Sequence, residues 1–276
     1  MKTNLVSVYE DTFEDVKRGY YENSFGEEIE FPAIEKSYYY KKTPKIEQSY
    51  KDSRETKIYA ENIDTFVKAI EMGPSAAVLN MASFFTPGGG VEKGSKAQEE
   101  DLCRRSNLIG SLYSFHYHKS AALGIKFAGN SYKYPLDKYT AIYSKGISIY
   151  KKPKTYDPYY EPFQTNVITM AALKNPKLTE SGTLKDSDRR ILMEKIRIVL
   201  RIALCNNHTK LVLGAWGCGA YGIPAVEMSQ LFSEVLSEPS WNGKFDEICF
   251  AIIEDQNSQK NGGNLKPFVE KFGTKN

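Results

Sequence analysis

The chain has 276 residues, a formal net charge of +3 and 41% hydrophobic residues. That is enough apolar content for one sizeable core, and a charge this close to balance gives no basis for general affinity to nucleic acid or membrane surfaces. No apolar run is long enough to span a bilayer or serve as a secretory signal, so the expectation is a cytoplasmic protein whose four scattered cysteines, Cys103, Cys205, Cys218 and Cys249, are reduced core thiols.

The elements follow in chain order. Residues 1–55 are rich in Tyr, Lys and Glu, with a faint helical pattern from Asp11 to Tyr21. The tyrosine run from Ser37 to Lys42 reads as a half-exposed edge strand or strap, in preference to a base-stacking surface. Asn62 is placed to cap a helix from Ile63 to Met72, which Gly73-Pro74 ends. Ala76 to Leu79 is a short buried strand that empties into Thr86-Pro87-Gly88-Gly89-Gly90. Seven residues later Gln98-Glu99-Glu100 opens a helix that carries Leu102, Ile109 and Leu112 inward, with Arg104 and Arg105 on its solvated face. His116 and His118 fall in a surface loop; with three histidines in the chain and no fourth ligand in reach, no metal site is expected.

Ala141 to Ser144 and Ile147 to Tyr150 are strand-like runs joined through Lys145-Gly146 as a hairpin. A polar loop from Lys151 to Pro162 follows, then a strand from Val167 to Ala172. Asp186 to Asn206 is a strongly amphipathic helix. Leu211 to Leu213 is a strand, Pro224 starts a helix to about Leu236, Phe245 to Ile253 is the last strand, and Asn264 opens a closing helix to Phe272. Strands alternating with helices indicate an α/β/α sandwich whose ligand site lies beyond the carboxyl ends of its strands.

Two glycine loops carry the chemistry. Three successive glycines admit positive φ and close approach to bare backbone, and turned backbone can aim several N–H groups at a phosphate. Adjacent carboxylates on a helix differ by about 100° in direction, so one of Glu99 and Glu100 meets a substrate while the other positions it or faces solvent. A carboxyl partly buried beside phosphate holds its proton, as a general acid must. Acidic residues also suit a helix start through the macrodipole, but that leaves the triple glycine unexplained. The second loop, Gly214 to Gly222, lies between a strand and a helix N-terminus, a general anion site. It lacks the Lys-Ser/Thr end of a Walker loop, and neither loop has dinucleotide-binding spacing. Cys218 has no histidine nearby in sequence and reads as a small residue for close approach, not a nucleophile. Tyr221 is placed to cover a sugar or base.

Gly88-Gly89-Gly90, seven residues and Gln98-Glu99-Glu100 resemble the signature of poly(ADP-ribose) glycohydrolases, and the surrounding sequence resembles their microbial-type subfamily. Phe163 to Ala172 resembles that subfamily's central strand, and Leu211 to Gly222 its second phosphate loop. The resemblance implies a three-layer macrodomain-like α/β/α sandwich with a mixed central sheet over residues 56–276, and an accessory segment over 1–55. It implies hydrolysis of the ribose–ribose O-glycosidic bond, releasing ADP-ribose, with no metal or other cofactor. Glu100 would be the general acid/base and Glu99 would hold the ribose hydroxyls. The ADP-ribose would be bound by Asn80 at the strand end, by Gly88, Gly89, Gly90, Val91 and Gln98 of the first loop and helix start, and by Gly214, Gly217, Cys218, Gly219, Ala220, Tyr221 and Gly222 of the second, the two loops meeting around its pyrophosphate. Tyr221 stands where the family often carries Phe. The implied partners are ADP-ribose, its polymer and ADP-ribosylated macromolecules, bound by a monomer that uses neither membrane nor sequence-specific nucleic acid. Two alternatives stand beside this reading: a hydrolase that removes single ADP-ribose units from another acceptor, and a non-catalytic ADP-ribose reader. The intact Gln98-Glu99-Glu100 favours catalysis, because a reader has no need of a buried acid.

Overall fold

The computed structural model describes residues 3–45, 55–254 and 262–275. In chain order these form α1 (Leu5–Arg18), β1 (Tyr20–Glu22), β2 (Glu28–Glu30), β3 (Lys36–Tyr40), β4 (Lys57–Glu61), α2 (Thr65–Met72), β5 (Ala77–Met81), α3 (Gln98–Arg105) and α4 (Leu108–Leu112). There follow α5 (Tyr117–Leu123), β6 (Ala141–Lys151), β7 (Pro158–Met170), α6 (Asp186–Cys205), β8 (Lys210–Leu213), α7 (Ala225–Leu236), β9 (Glu247–Ala251) and α8 (Leu265–Phe272). They gather into two compact units, Met1–Lys41 with Ala82–Met170, and Lys42–Met81 with Ala171–Asn276.

The first unit holds antiparallel strands in the order β3-β6-β7, with β3 at the edge as the tyrosine run predicts. The expected hairpin at Lys145-Gly146 is instead a bulge. Gly146 takes φ 73°, the register shifts between Ser144 and Ile147, and β6 runs on as one strand of 11 residues. A single residue at positive φ bends a strand without reversing it. The reversal comes after Lys151, and β7 begins at Pro158, inside the segment expected to be loop.

Helix α1 starts earlier than its pattern suggests, because Asn4 caps it by accepting from the N–H groups of Val6 and Ser7. Gly19, at φ 88°, ends it, and Tyr20 and Tyr21 pass into β1. The helix after the glycine loop is likewise broken. Ser106 is extended and bridges to Ile149, so Ile109 and Leu112 reach the core from a separate helix, α4. His116 is not in a loop; its ring accepts from Lys119 N–H (3.4 Å) and caps α5.

The second unit holds the parallel order β5-β8-β9-β4. Its strands are mostly buried and apolar, as parallel strands covered on both faces are, with Lys57, Lys210 and Glu247 at their starts and Asn80 within β5 among the polar exceptions. The stripe of α6 is buried at Leu192, Ile196, Val199, Ala203 and Leu204. Asp64, not Asn62, caps α2 by accepting from Val67 N–H (3.0 Å), while Asn62 Oδ1 accepts from Glu254 N–H (3.2 Å). Cys103 and Cys249 are buried as expected, but Cys205 is exposed at the end of α6. No described helix is long and apolar enough to cross a membrane.

Candidate functional site

In the first unit the segment from Ser83 to Gly90 wraps the first turn of α3. Ser83 N–H donates to Glu99 Oε2 (2.6 Å) and Gly88 N–H to Glu99 Oε1 (3.2 Å). Gly90 N–H donates to Glu100 Oε1 (2.8 Å). Neither carboxylate faces solvent: Glu99 is 3% and Glu100 7% exposed. Their divergent directions are resolved by the loop itself, whose start meets Glu99 and whose end meets Glu100.

This geometry explains the triple glycine differently from a phosphate nest. Gly88 and Gly89 have φ of 77° and 56°. A Cβ on Gly89 would overlap Glu100 Oε1 and lie 3.1 Å from Glu99 Oε2, and one on Gly90 would overlap Ser95 Oγ. The close approach that bare backbone permits is made by the protein's own carboxylates. Gly89 N–H donates to Thr86 O (3.0 Å) and Val91 N–H to Gly88 O (3.1 Å), so all four N–H groups from Gly88 to Val91 have acceptors within the unit. The Val91 side chain is buried, and Gln98, first residue of α3, is half-buried.

The two carboxylates are not equivalent. Both oxygens of Glu99 accept backbone N–H groups. Glu100 has one anchored oxygen, while Oε2 is buried and meets no hydrogen-bond partner among the described residues. Burying a polar atom unpaired costs about 1–3 kcal/mol, and such an atom marks a site built for something other than stability. Beneath the loop, burial and then Glu99 and Glu100 push the Cys103 thiol well up, so it stays protonated and inert.

Arg104 and Arg105 are a correction. Both are fully buried, not on a solvated face. Arg104 Nε donates to Leu5 O (3.3 Å) and its Nη2 to Ser95 O. Arg105 Nε donates to Lys151 O (3.2 Å), and its Nη1 pairs with Asp101 (2.8 Å). Sequence patterning carried no sign of this, since a charged pair on a short helix normally marks the solvent side. Nor does it reveal Ser83 as the second anchor of Glu99, because the contact is through backbone N–H.

In the second unit Asn80 is fully buried on β5. The loop after β8 is tied by Trp216 N–H to Gly214 O (2.8 Å), Ile223 N–H to Gly217 O (3.0 Å) and Gly222 N–H to Gly219 O (3.0 Å). Gly217 and Gly222 have φ of 77° and 74°, and a Cβ on Gly217 would press on Ile223 and Ala172. Gly219 and Ala220 are exposed, and their N–H groups have no acceptor among the described residues. Tyr221 is half-buried and its carbonyl accepts from Asn175 N–H (2.9 Å). Burial pushes the Cys218 thiol up, and its Sγ faces only the Trp216 carbonyl (3.8 Å) in hydrogen-bond range, which suits packing and not nucleophilic attack. Among the described residues no group of three or more His, Cys, Asp or Glu is arranged to hold a metal ion.

Comparison with known proteins bears on both units. The family model "Microbial-type PARG, catalytic domain" matches residues 9–152, just over half the chain and including the whole carboxylate loop. The solved poly(ADP-ribose) glycohydrolase of Thermomonospora curvata is 24% identical, with a TM-score of 0.79 over 97% of this chain and 99% of that one. The same enzyme bound to the inhibitor ADP-HPD gives 23% and 0.76 over the same shares. Poly(ADP-ribose) glycohydrolase of Deinococcus radiodurans in complex with ADP-ribose is 25% identical, with a TM-score of 0.60 over 96% of this chain and 91% of that one. The macrodomain-like mixed α/β fold expected from the sequence is therefore the fold of the chain. No curated protein sequence matches it.

Proposed function

The chain belongs to the microbial-type poly(ADP-ribose) glycohydrolase family, and from that premise we propose how its own residues carry out the reaction. It is a glycosidase that hydrolyses the ribose–ribose O-glycosidic bond of poly(ADP-ribose) and releases ADP-ribose, and Glu100 is its general acid/base. The observation that carries this assignment is the asymmetry of the two carboxylates. Gly90 N–H occupies Oε1 of Glu100 as an acceptor, which leaves the buried Oε2 as the oxygen to bear the proton.

The protonated Oε2 gives its proton to the departing ribose oxygen while the glycosidic bond breaks and an oxocarbenium-like centre develops. The ionised Oε2 then takes a proton from the water that attacks the anomeric carbon. Most glycosidases divide these tasks between carboxylates on opposite faces of the bond. Here one loop anchors both, and Glu99 spends both oxygens on Ser83 and Gly88 N–H. Glu99 orients the loop and, through the second lone pair of each oxygen, the ribose hydroxyls, and Glu100 does both proton transfers. In the second loop, the open N–H groups of Gly219 and Ala220 are the backbone donors suited to a diphosphate. The rest of the reading is a cytoplasmic monomer without a cofactor, in keeping with four free cysteines.

The test is Glu100→Gln against wild type on radiolabelled poly(ADP-ribose). The amide keeps an oxygen for Gly90 N–H and loses the proton. Monomer release should fall by about 10²–10⁴-fold, the usual worth of a positioned acid/base, with ADP-ribose binding retained. Tight binding and no release by either protein would point to a reader, and cleavage of singly ADP-ribosylated substrates alone would point to a different acceptor.

A further inference from the structure

We propose that Arg104 is a positioning residue for Glu100, and that helix α1 is thereby part of the catalytic apparatus; this rests on Glu100 being the acid/base. Arg104 is fully buried and ties together two segments far apart in sequence. Nε donates to Leu5 O in the first turn of α1 (3.3 Å), and Nη2 donates to Ser95 O at the exit of the glycine loop. The Arg104 carbonyl in turn accepts from Thr12 Oγ1, two turns along α1 (2.7 Å). Ser95 N–H donates to Gly90 O (3.2 Å), and Gly90 N–H donates to Glu100 Oε1 (2.8 Å). An unbroken series of hydrogen bonds thus runs from α1 through one guanidinium to the anchored oxygen of the acid.

The contact between Gly90 and Ser95 is too close to admit a Cβ, so movement of one moves the other. If Ser95 is released, the donor that fixes Oε1 shifts, and Oε2 turns away from the scissile bond. Misplacement by about 1 Å costs on the order of 10²-fold in rate. A lysine at 104 is a point donor and cannot serve two carbonyls in divergent directions as a planar guanidinium does.

The experiment compares Arg104→Lys with Tyr59→Phe. The second removes the bond from Tyr59 OH to Glu247 Oε1 (2.5 Å) between β4 and β9, and touches none of Arg104, α1 and the loop. The readouts are kcat and KM on poly(ADP-ribose), ADP-ribose affinity by calorimetry, and Tm. The expected result for Arg104→Lys is a kcat lower by about 10- to 100-fold with ADP-ribose affinity within about twofold of wild type, while Tyr59→Phe loses Tm and keeps kcat. In a Glu100→Gln background Arg104→Lys should cost little more. Wild-type kcat in Arg104→Lys overturns the proposal, as does kcat that tracks Tm equally in both variants. If Arg104→Lys does not fold, Thr12→Val takes its place: the same split between kcat and affinity supports the proposal and wild-type kcat overturns it. Full activity in Glu100→Gln alone would instead sink the assignment of the acid, whatever Arg104 does.

Discussion

At Gly89 two constraints coincide, a φ of 56° and a carboxylate oxygen where a Cβ would stand. Gly124 separates them: its φ is 74°, and nothing lies within 4 Å of its would-be Cβ. Gly124→Ala should cost about 1 kcal/mol of stability through backbone strain and leave catalysis unchanged. Gly89→Ala should lose a similar amount of stability and, by driving Glu100 off its anchor, about 10²-fold or more in kcat. Melting curves and turnover on the two variants decide whether the glycine serves the carboxylates or only the turn. Cys218→Ser should leave turnover within about twofold, because a thiol pushed up by burial, with no base in hydrogen-bond range, is no nucleophile. At this scale Glu99 and Glu100 could be read from their spacing to the glycines. Arg104 could not, because what buries it is α1, ninety-odd residues upstream, and a contact of that separation leaves no local pattern.

Elements were legible where their own residues decide them and misread where a partner decides. The stripe of α6 and the start of α7 after Pro224 need no context. The bulge in β6 does, since Lys145-Gly146 permits a turn or a kink and pairing with β3 and β7 selects the kink. Helix α5 is a third case, because its cap is a histidine. The His116 ring accepts from Lys119 N–H, which only an unprotonated nitrogen can do. Burial first, then the charges of Lys119 and His118, lower its pKa below the usual 6.5. The unfolded chain therefore binds the proton more readily than the folded one between the depressed value and 6.5. Stability rises with pH through that window, is fully present above it, and is lost as pH falls. His116→Asn keeps a capping acceptor without a titrating group, so its Tm should fall less than that of wild type between pH 7 and pH 5, as calorimetry at stepped pH would register.

At the scale of the whole chain, the sequence divides most naturally near residue 55, where its tyrosine-rich opening gives way to clear alternation of helix and strand. The spatial grouping cuts elsewhere, joining residues 1–41 to 82–170. The family match begins at residue 9, within that opening. The physical reason is that α1 and β3 complete elements later in the chain. Thr12 Oγ1 accepts from Lys151 Nζ (2.8 Å), Asp15 Oδ2 accepts from Tyr150 OH, and Tyr9 OH meets Tyr113 OH (2.6 Å), all in buried surroundings. Local periodicity cannot register such pairings, because each partner looks complete in its own segment. Removing residues 1–41 would strand buried donors and acceptors on β6, α3 and α4, at about 1–3 kcal/mol for each group left unpaired, and would bare the edge of β6 that β3 pairs with. Set against a typical net stability of about 5–15 kcal/mol, that loss is not survivable. The shortened chain should therefore fail to give a cooperative melt by circular dichroism and should release no ADP-ribose from polymer. A well-folded, active product would mean that the opening segment is a separable appendage, and would also remove the ground on which α1 is assigned a part in holding Glu100.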